Sequence, residues 1–449
     1  MPGVAASIGR AAAQGRRWFV ASTLLAATFA WFAPANAQLN ILITKPAARP
    51  VPIAVVPFGW QGSGAVAFDL AAVVTADLRS TGRFAPLPAA DMVTRPTEPA
   101  QVNFQSWRLL KSDYLVIGKL TEDSPDRFTA VFELFDVVRG EQSLGFRLQA
   151  GRSDLRATAH KISDMIFEKI TGIPGVFSTQ IAYVSEERRA DNTRRFRLIV
   201  SDADGENARV IADSPQPLMS PAWSPDARRL AYVSFEGQQS AVYVQTLRTG
   251  TRERVSSRPG VNSAPSFSPD GRLLALTLSH DNGNLDVYTL DLATQQLKQL
   301  TTDDAIDTEP SWSPDGRTVY FTSDRAGGPQ VYRVSVNGGR PERVSYDGVY
   351  NARPRLSPDG KTIAVVYGQS NTYKIGAVDA ANGMLRVLTT GRLDESPSFA
   401  PNGAQIIYAT RENGRGVLAS VSTDGLIQTQ IASVAGDVRE PVWGPFPRP

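Results

Sequence analysis

Short apolar runs recur through the last two thirds of the chain at a nearly fixed interval: Leu230-Ala231-Tyr232-Val233, Leu273 to Leu276, Val319-Tyr320-Phe321, Ile363-Ala364-Val365-Val366 and Ile406-Ile407-Tyr408. Runs this short, rich in β-branched and aromatic residues and bounded by turn formers, predict strands buried between neighbouring sheets. A copy of one phrase precedes each run, as in Pro310-Ser311-Trp312-Ser313-Pro314-Asp315-Gly316. Its Ser-Pro-Asp-Gly core predicts a type I turn, with Pro presetting φ at the second position and Gly favoured at the fourth. The leading prolines, Pro221, Pro265, Pro310, Pro354, Pro397 and Pro441, stand 44, 45, 44, 43 and 44 residues apart. A period of about 40–45 residues is that of a four-stranded propeller blade.

Further strands recur in phase, as Asp286-Val287-Tyr288-Thr289 and Gln330-Val331-Tyr332-Arg333, then as Lys298-Gln299-Leu300 and Glu342-Arg343-Val344. The two ends of the array complement each other. Ile181-Ala182-Tyr183-Val184 and the two strands after it have no phrase before them, while Pro441 to Pro445 has no strands after it. Joining the halves makes one blade and a closed ring, which removes exposed strand edges. A six-bladed β-propeller is therefore expected over 178–449, closed by a strand at 441–445.

The pattern changes ahead of the propeller. Ile53 to Phe58 reads as a buried strand, 59–64 as a glycine-bearing loop, and 68–78 has the helical period. A second helix is expected at 104–110, a strand at 114–118, a hairpin over 128–150, and a last helix at 154–170, capped by Gly172 and stopped by Pro174. These make a small α/β domain over 51–172, joined to the propeller by a linker at 173–177. The expected fold class is thus an α/β N-terminal domain plus an all-β six-bladed β-propeller.

Residues 38–50 stand apart. Gln38, Leu39, Asn40, Ile41, Leu42, Ile43, Thr44 and Lys45 alternate and are β-prone, whereas the following stretch is broken by Pro46 and Pro50. Two readings fit: an edge strand of the small domain, or a detachable peptide able to pair with another protein's sheet edge. Before it, Arg16-Arg17, an apolar stretch at 18–32 and Ala35-Asn36-Ala37 have the form of an export signal with its cleavage site. The stretch falls short of the roughly 20 residues of a membrane span. The expected signal is 1–37, by the general secretory or the twin-arginine route, and the expected location is the periplasm.

Composition adds constraints. Arg10, Arg16 and Arg17 lie in that signal; removing them from the 47 basic residues leaves 44, equal to the 44 acidic ones, so the +3 charge is no sign of nucleic-acid binding. Cysteine is absent, which excludes disulfides and a lipid-modified cysteine. No Gly-x-Ser-x-Gly elbow accompanies the blades, and the two histidines, His160 and His280, fall in different domains. A triad or a zinc site is therefore not expected, and both histidines read as surface or packing residues. The loop Gly59 to Gly64 lacks the Gly-Lys-Ser/Thr ending of a phosphate cradle. The expectation is a non-enzymatic monomer with no cofactor and no metal.

The order of elements, together with Val55-Val56-Pro57-Phe58, Ala76-Asp77-Leu78-Arg79, Glu168-Lys169-Ile170-Thr171-Gly172-Ile173 and above all Ser214-Pro215-Gln216-Pro217-Leu218-Met219-Ser220-Pro221, resembles the TolB family. These are periplasmic propeller proteins of the Tol-Pal system of double-membrane bacteria. The resemblance implies that the propeller binds the outer-membrane lipoprotein Pal and that the N-terminal segment, Gln38 to Lys45, binds the inner-membrane protein TolA. TolQ and TolR complete the system, which draws the outer membrane inward at division and maintains its integrity. The implied Pal contacts are Val261, Asn262, Ala264, Thr308 and Glu309, with Val261 replacing a histidine common in the family. The rival reading is a secreted ligand-binding or substrate-screening propeller without a protein partner. The loops that end in Met219-Ser220, Ser263-Ala264, Thr308-Glu309, Ala352-Arg353, Glu395-Ser396 and Arg439-Glu440 are expected at one mouth of the channel, where their mixed charges suit a polar protein partner.

Overall fold

The structure, a computed structural model, describes residues 49–279, 283–431 and 436–447, and the backbone of 43–45. The expected signal, Gln38 to Leu42 and His280 lie outside the described residues.

Five blades are built from consecutive strands. The first runs Leu218–Trp223, Arg229–Ser234, Ala241–Thr246, Arg252–Ser256 from the channel outward, and the next four repeat that order from Asn262–Phe267, Asp307–Trp312, Tyr350–Leu356 and Glu395–Phe399. The sixth blade is composite. Asp437–Trp443 pairs antiparallel with Gln180–Arg188, setting Trp443 opposite Ile181, and Arg194–Asp202 and Arg209–Ser214 follow outward. The chain's C-terminal strand thus fills the innermost place of a sheet whose other strands open the propeller.

The turns close by local chemistry. In the second blade Gly271 N–H donates to the Ser268 carbonyl at 2.8 Å, and Ser268 Oγ donates to Asp270 Oδ1 at 2.6 Å. Gly271 sits at φ +72°, the left-handed region in which glycine carries no Cβ penalty. The tryptophans stitch blade to blade: Trp312 Nε1 donates to the Ser266 carbonyl at 2.9 Å, and Trp223 Nε1 to the Val442 carbonyl at 3.2 Å, across the seam.

The small domain has helices α1 (Leu70–Ser80), α2 (Phe104–Leu109) and α3 (Leu155–Thr171). Helix α1 starts two residues later than its period predicts, because Asp69 caps it by accepting from Ala72 N–H at 3.0 Å. Helix α3 ends at Gly172, left-handed at φ +71°. Both helices lie over a sheet whose long members, Tyr114–Ser124, Arg127–Asp136 and Glu141–Gly151, are antiparallel, with Val51–Val55 parallel beside them. Leu70, Val74 and Leu78 of α1 share one core with Ile162 and Ile166 of α3 and with Phe128 and Phe132 of the sheet.

Two expectations need correction. The stretch read as a glycine loop begins as a strand, Gly59–Gln61, parallel to Lys119–Thr121. Its remainder is pinned by Glu122, whose carboxylate accepts from Ser63 N–H at 3.1 Å and Ser63 Oγ at 3.0 Å, so that backbone donor does not face an open cradle. The N-terminal strand Ile43–Lys45 is not an edge of the small domain. It pairs with Gln428–Ile431, the outermost strand of the fifth blade. Within the small domain, Val51–Val55 already has a neighbour on each side, Phe84–Pro86 and Tyr114–Ser124, so no place adjoins it.

Candidate docking face

All six innermost strands carry the same irregularity. The residue before each leading proline, Ser220, Ala264, Glu309, Arg353, Ser396 or Glu440, has φ between +49° and +58°. The register slips at each, as between Thr308 and Ser311. Such a bulge bends the strand and re-aims a side chain, and these six side chains converge on one end of the channel.

The charges that converge there are locked together. Glu309 accepts from Arg353 Nε at 2.7 Å, from Arg353 N–H at 2.9 Å and from Thr322 Oγ1 at 3.0 Å. Its own N–H donates to Thr277 Oγ1 of the second blade at 3.2 Å. Arg353 also reaches Ser396 Oγ, and Glu440 accepts from Ser220 N–H across the seam. Arg353 is held even more firmly protonated than a free arginine: burial opposes its charge, but Glu309, Glu440 and Glu395 outweigh that cost. The network joins blades to one another and makes the mouth rigid.

The implied Pal contacts divide between two roles. Val261 is 38% exposed, while Ala264, Thr308 and Glu309 are half-buried at the mouth. Asn262 is wholly buried: its Oδ1 accepts from Ser256 Oγ at 2.7 Å and from Arg258 N–H at 3.0 Å, and its Nδ2 donates to the Arg258 carbonyl at 2.7 Å. Asp307, Asn351 and Asp394 occupy the same place in the next three blades, all buried and all hydrogen-bonded to loop-bearing elements. Asn262 therefore holds its loop and offers a partner no side-chain surface.

Sequence reasoning missed an apolar rim. Val261, Ile306 and Leu393 each lie three residues before a bulge and are 38–48% exposed; Val349, beside the half-buried Tyr350, is 74% exposed. Tyr350 meets Tyr373 edge-on at 5.3 Å, and with Val366, Leu393, Glu309, Arg353 and Glu395 they line a cavity of about 250 Å³. The signal was available in the spacing from each anchor.

His160 is buried between the domains. Its Nδ1 lies 2.8 Å from Asp77 Oδ2, and its Nε2 lies 3.8 Å and 3.9 Å from Asp204 and Asp202 of the propeller. Asp77, His160 and Asp204 bring donor atoms close enough together for a metal ion. Arg156, however, already pairs with both Asp202 and Asp204, and its charge occupies the place a cation would take. Burial alone would lower the His160 pKa; the hydrogen bond and charge of Asp77, with Asp204, outweigh it and raise the pKa above its ordinary value. The cluster is an ionic clasp between α3 and the composite blade.

Comparison with known proteins is consistent along the chain. The model of the TolB amino-terminal domain matches residues 39–143, and that of the TolB beta propeller domain matches 167–447. Tol-Pal system protein TolB of Xanthomonas oryzae pv. oryzae is 48% identical over 433 residues, covering 96% of this chain and 98% of that one. The protein of the same name from Xanthomonas campestris pv. campestris is 47% identical over the same lengths. The crystal structure of TolB from Acinetobacter baumannii superposes with a TM-score of 0.83 at 41% identity, covering 91% of this chain and all of that one. Sequence, domain order and fold agree: this chain belongs to the TolB family.

Proposed function

We propose that the chain is a periplasmic docking component of the Tol-Pal system. In this reading the propeller mouth binds Pal, the segment Gln38 to Lys45 binds TolA, and TolQ and TolR act with TolA. The role follows as outer-membrane invagination at division and outer-membrane integrity. The relatives named above are Tol-Pal system proteins. No helix among the described residues is long and apolar enough to cross a membrane, in keeping with a protein that works between two membrane-borne partners.

The observation that carries the reading is the mouth, where exposed apolar side chains ring a rigid, self-paired charge network. Protein interfaces are built this way, with apolar anchors desolvated inside a polar surround and little rearrangement on binding. A small ligand would instead favour unpaired polar groups directed into a closed pocket. At the other site, two bridge pairs, Ile43 with Thr429 and Lys45 with Gln428, join the segment to the fifth blade. So short a ladder suits a peptide that leaves for another sheet edge.

Immobilised soluble domains of Pal and TolA, probed with the mature protein and its variants, test both assignments. Pal binding weakened by Ile306→Asp and TolA binding lost on deletion of 38–45 are expected. Wild-type binding of both variants to both domains would favour the secreted propeller without a protein partner.

A further inference from the structure

The residue after each leading proline lines the channel at one level. These are Ala222, Ser266, Ser311, Arg355, Ser398 and Val442, opposite Ala231, Ala275, Tyr320, Ala364, Ile407 and Ala182 in corresponding registers. All six face one cavity of about 400 Å³, which opens between the Ser-Pro turns at the end of the channel opposite the docking mouth. Five of the six are small or uncharged, and one is a cation.

Arg355 is not neutralised. One of its guanidinium N–H groups, on Nη1, donates to the Pro354 carbonyl at 2.9 Å, and among the described residues the others have no protein partner. No carboxylate of the described residues comes within ion-pairing distance of it. Glu309 is committed to Arg353, and Glu440 to Ser220 N–H. Burial, together with the like charge of Arg353, lowers the Arg355 pKa below that of a free arginine, with Glu309 and Glu440 only partly compensating. The guanidinium is half-buried and its unpartnered donors are open to the channel, and a planar fork with free donors matches a carboxylate. Hydroxyls lie at the same level. Ser398 Oγ accepts from Trp443 N–H at 3.0 Å and keeps its own proton to donate. The Ser266 and Ser311 hydroxyls have no hydrogen-bond partner among the described residues.

We propose that the propeller channel holds a small carboxylate anion, of acetate to succinate size, gripped by Arg355 and by the hydroxyls of Ser266, Ser311 and Ser398, and entering from the mouth opposite the docking face. Arg355 and Ser398 also line the cavity at the docking mouth, so the site lies between the two ends of the channel. A single cation in the ring also disfavours a divalent metal at this level. Pro354-Arg355-Leu356 is the anchor that departs furthest from the repeated Pro-x-Trp/Phe pattern, and the departure creates the site.

The test uses the mature protein without partners, at constant ionic strength. Calorimetric titration with acetate and with succinate is expected to give saturable one-site binding, accompanied by a rise in melting temperature. Arg355→Gln should weaken it by more than tenfold, a change of about 1.4 kcal/mol per decade. Ser311→Ala, which removes one hydroxyl without a charge change, should weaken binding severalfold and guards against misfolding of the arginine variant. Absence of saturable binding by wild type, equal binding by Arg355→Gln, or phosphate and chloride binding as tightly as carboxylates would each overturn the assignment.

Discussion

Closure of the ring by the C-terminal strand makes a quantitative demand on Trp443. This residue is 8% exposed, shares a core with Ile181, Tyr183 and Ile407, and donates its indole N–H to Thr179 Oγ1 at 2.8 Å. Replacing a buried tryptophan by alanine costs about 3–5 kcal/mol, as the cavity collapses only in part. For a unit of this size, each kcal/mol moves the melting temperature by about 2–4 °C, so Trp443→Ala should melt roughly 6–20 °C lower. Trp443→Phe keeps most of the bulk and loses the indole hydrogen bond, a loss of about 1 kcal/mol. The decisive comparison is Trp312→Ala in the third blade, where the indole bonds across a blade junction that needs no closure. In a closed ring both indoles are buried and hydrogen-bonded, and the two variants should melt within a few degrees of each other. Calorimetry of both, with protease resistance as a second readout, checks this. If Trp443→Ala melts with wild type while Trp312→Ala is strongly destabilised, the ring is not closed at this seam.

Other outcomes follow from the same contacts. Ile306→Asp should weaken Pal binding at least tenfold, about 1.4 kcal/mol, with an unchanged melting temperature; undiminished affinity by surface plasmon resonance would remove the rim from the interface. Glu309→Lys should weaken Pal binding and also lower the melting temperature, because it sets a second cation against Arg353; an unchanged melt would mean that the mouth network contributes nothing. Deleting 38–45 should abolish TolA binding while leaving Pal binding and the propeller melt largely intact, and retained TolA binding would place that site elsewhere. Stability should fall as pH rises above about 6.5, since the His160 pKa is raised on folding. Its contribution is fully present below about 6.5, the ordinary value, and is lost as pH passes through the raised one. Melting curves from pH 6 to 9 should show this slope in wild type and a shallower one in His160→Gln; parallel slopes would refute the clasp.

The parts of the fold legible in the sequence are those whose cause is local. Ser268, Pro269, Asp270 and Gly271 close their turn among themselves, and Asp69 and Gly172 bound their helices within one turn of chain. The left-handed residues at the mouth were hidden because Glu309 and Arg353 take a backbone conformation usually left to glycine, held by the bulge and by their mutual bond. The family resemblance implies a partner contact at Asn262, whose side chain the structure buries. Its burial becomes predictable only when Asn262, Asp307, Asn351 and Asp394 are aligned as one recurring loop-holder. The docked place of Ile43–Lys45 was illegible because the edge it joins lies near the opposite end of the chain. The clasp was illegible for a similar reason: Asp77, His160 and Asp204 come from two helices and a blade turn, and no spacing links them.

The fifth blade belongs to both proposed docking sites. Its innermost strand begins at Glu395, and Ser396 takes the hydrogen bond of Arg353 at the mouth while Leu393 stands in the rim. Its outermost strand, Gln428–Ile431, is the one that receives Ile43–Lys45. Four antiparallel strands separate mouth from edge, joined in register from Ser398 with Ile407, through Ser420, to Thr429. Hydrogen-bonded strands move together more readily than they shear, so if a partner at the mouth were to tilt this blade against its charge network, the tilt would be felt at the edge that holds the segment. The segment's ladder is short enough for a small tilt to decide whether it stays paired. Occupation of one site and release or retention of the other then become a single equilibrium, and linkage requires each partner to change the other's affinity by the same factor.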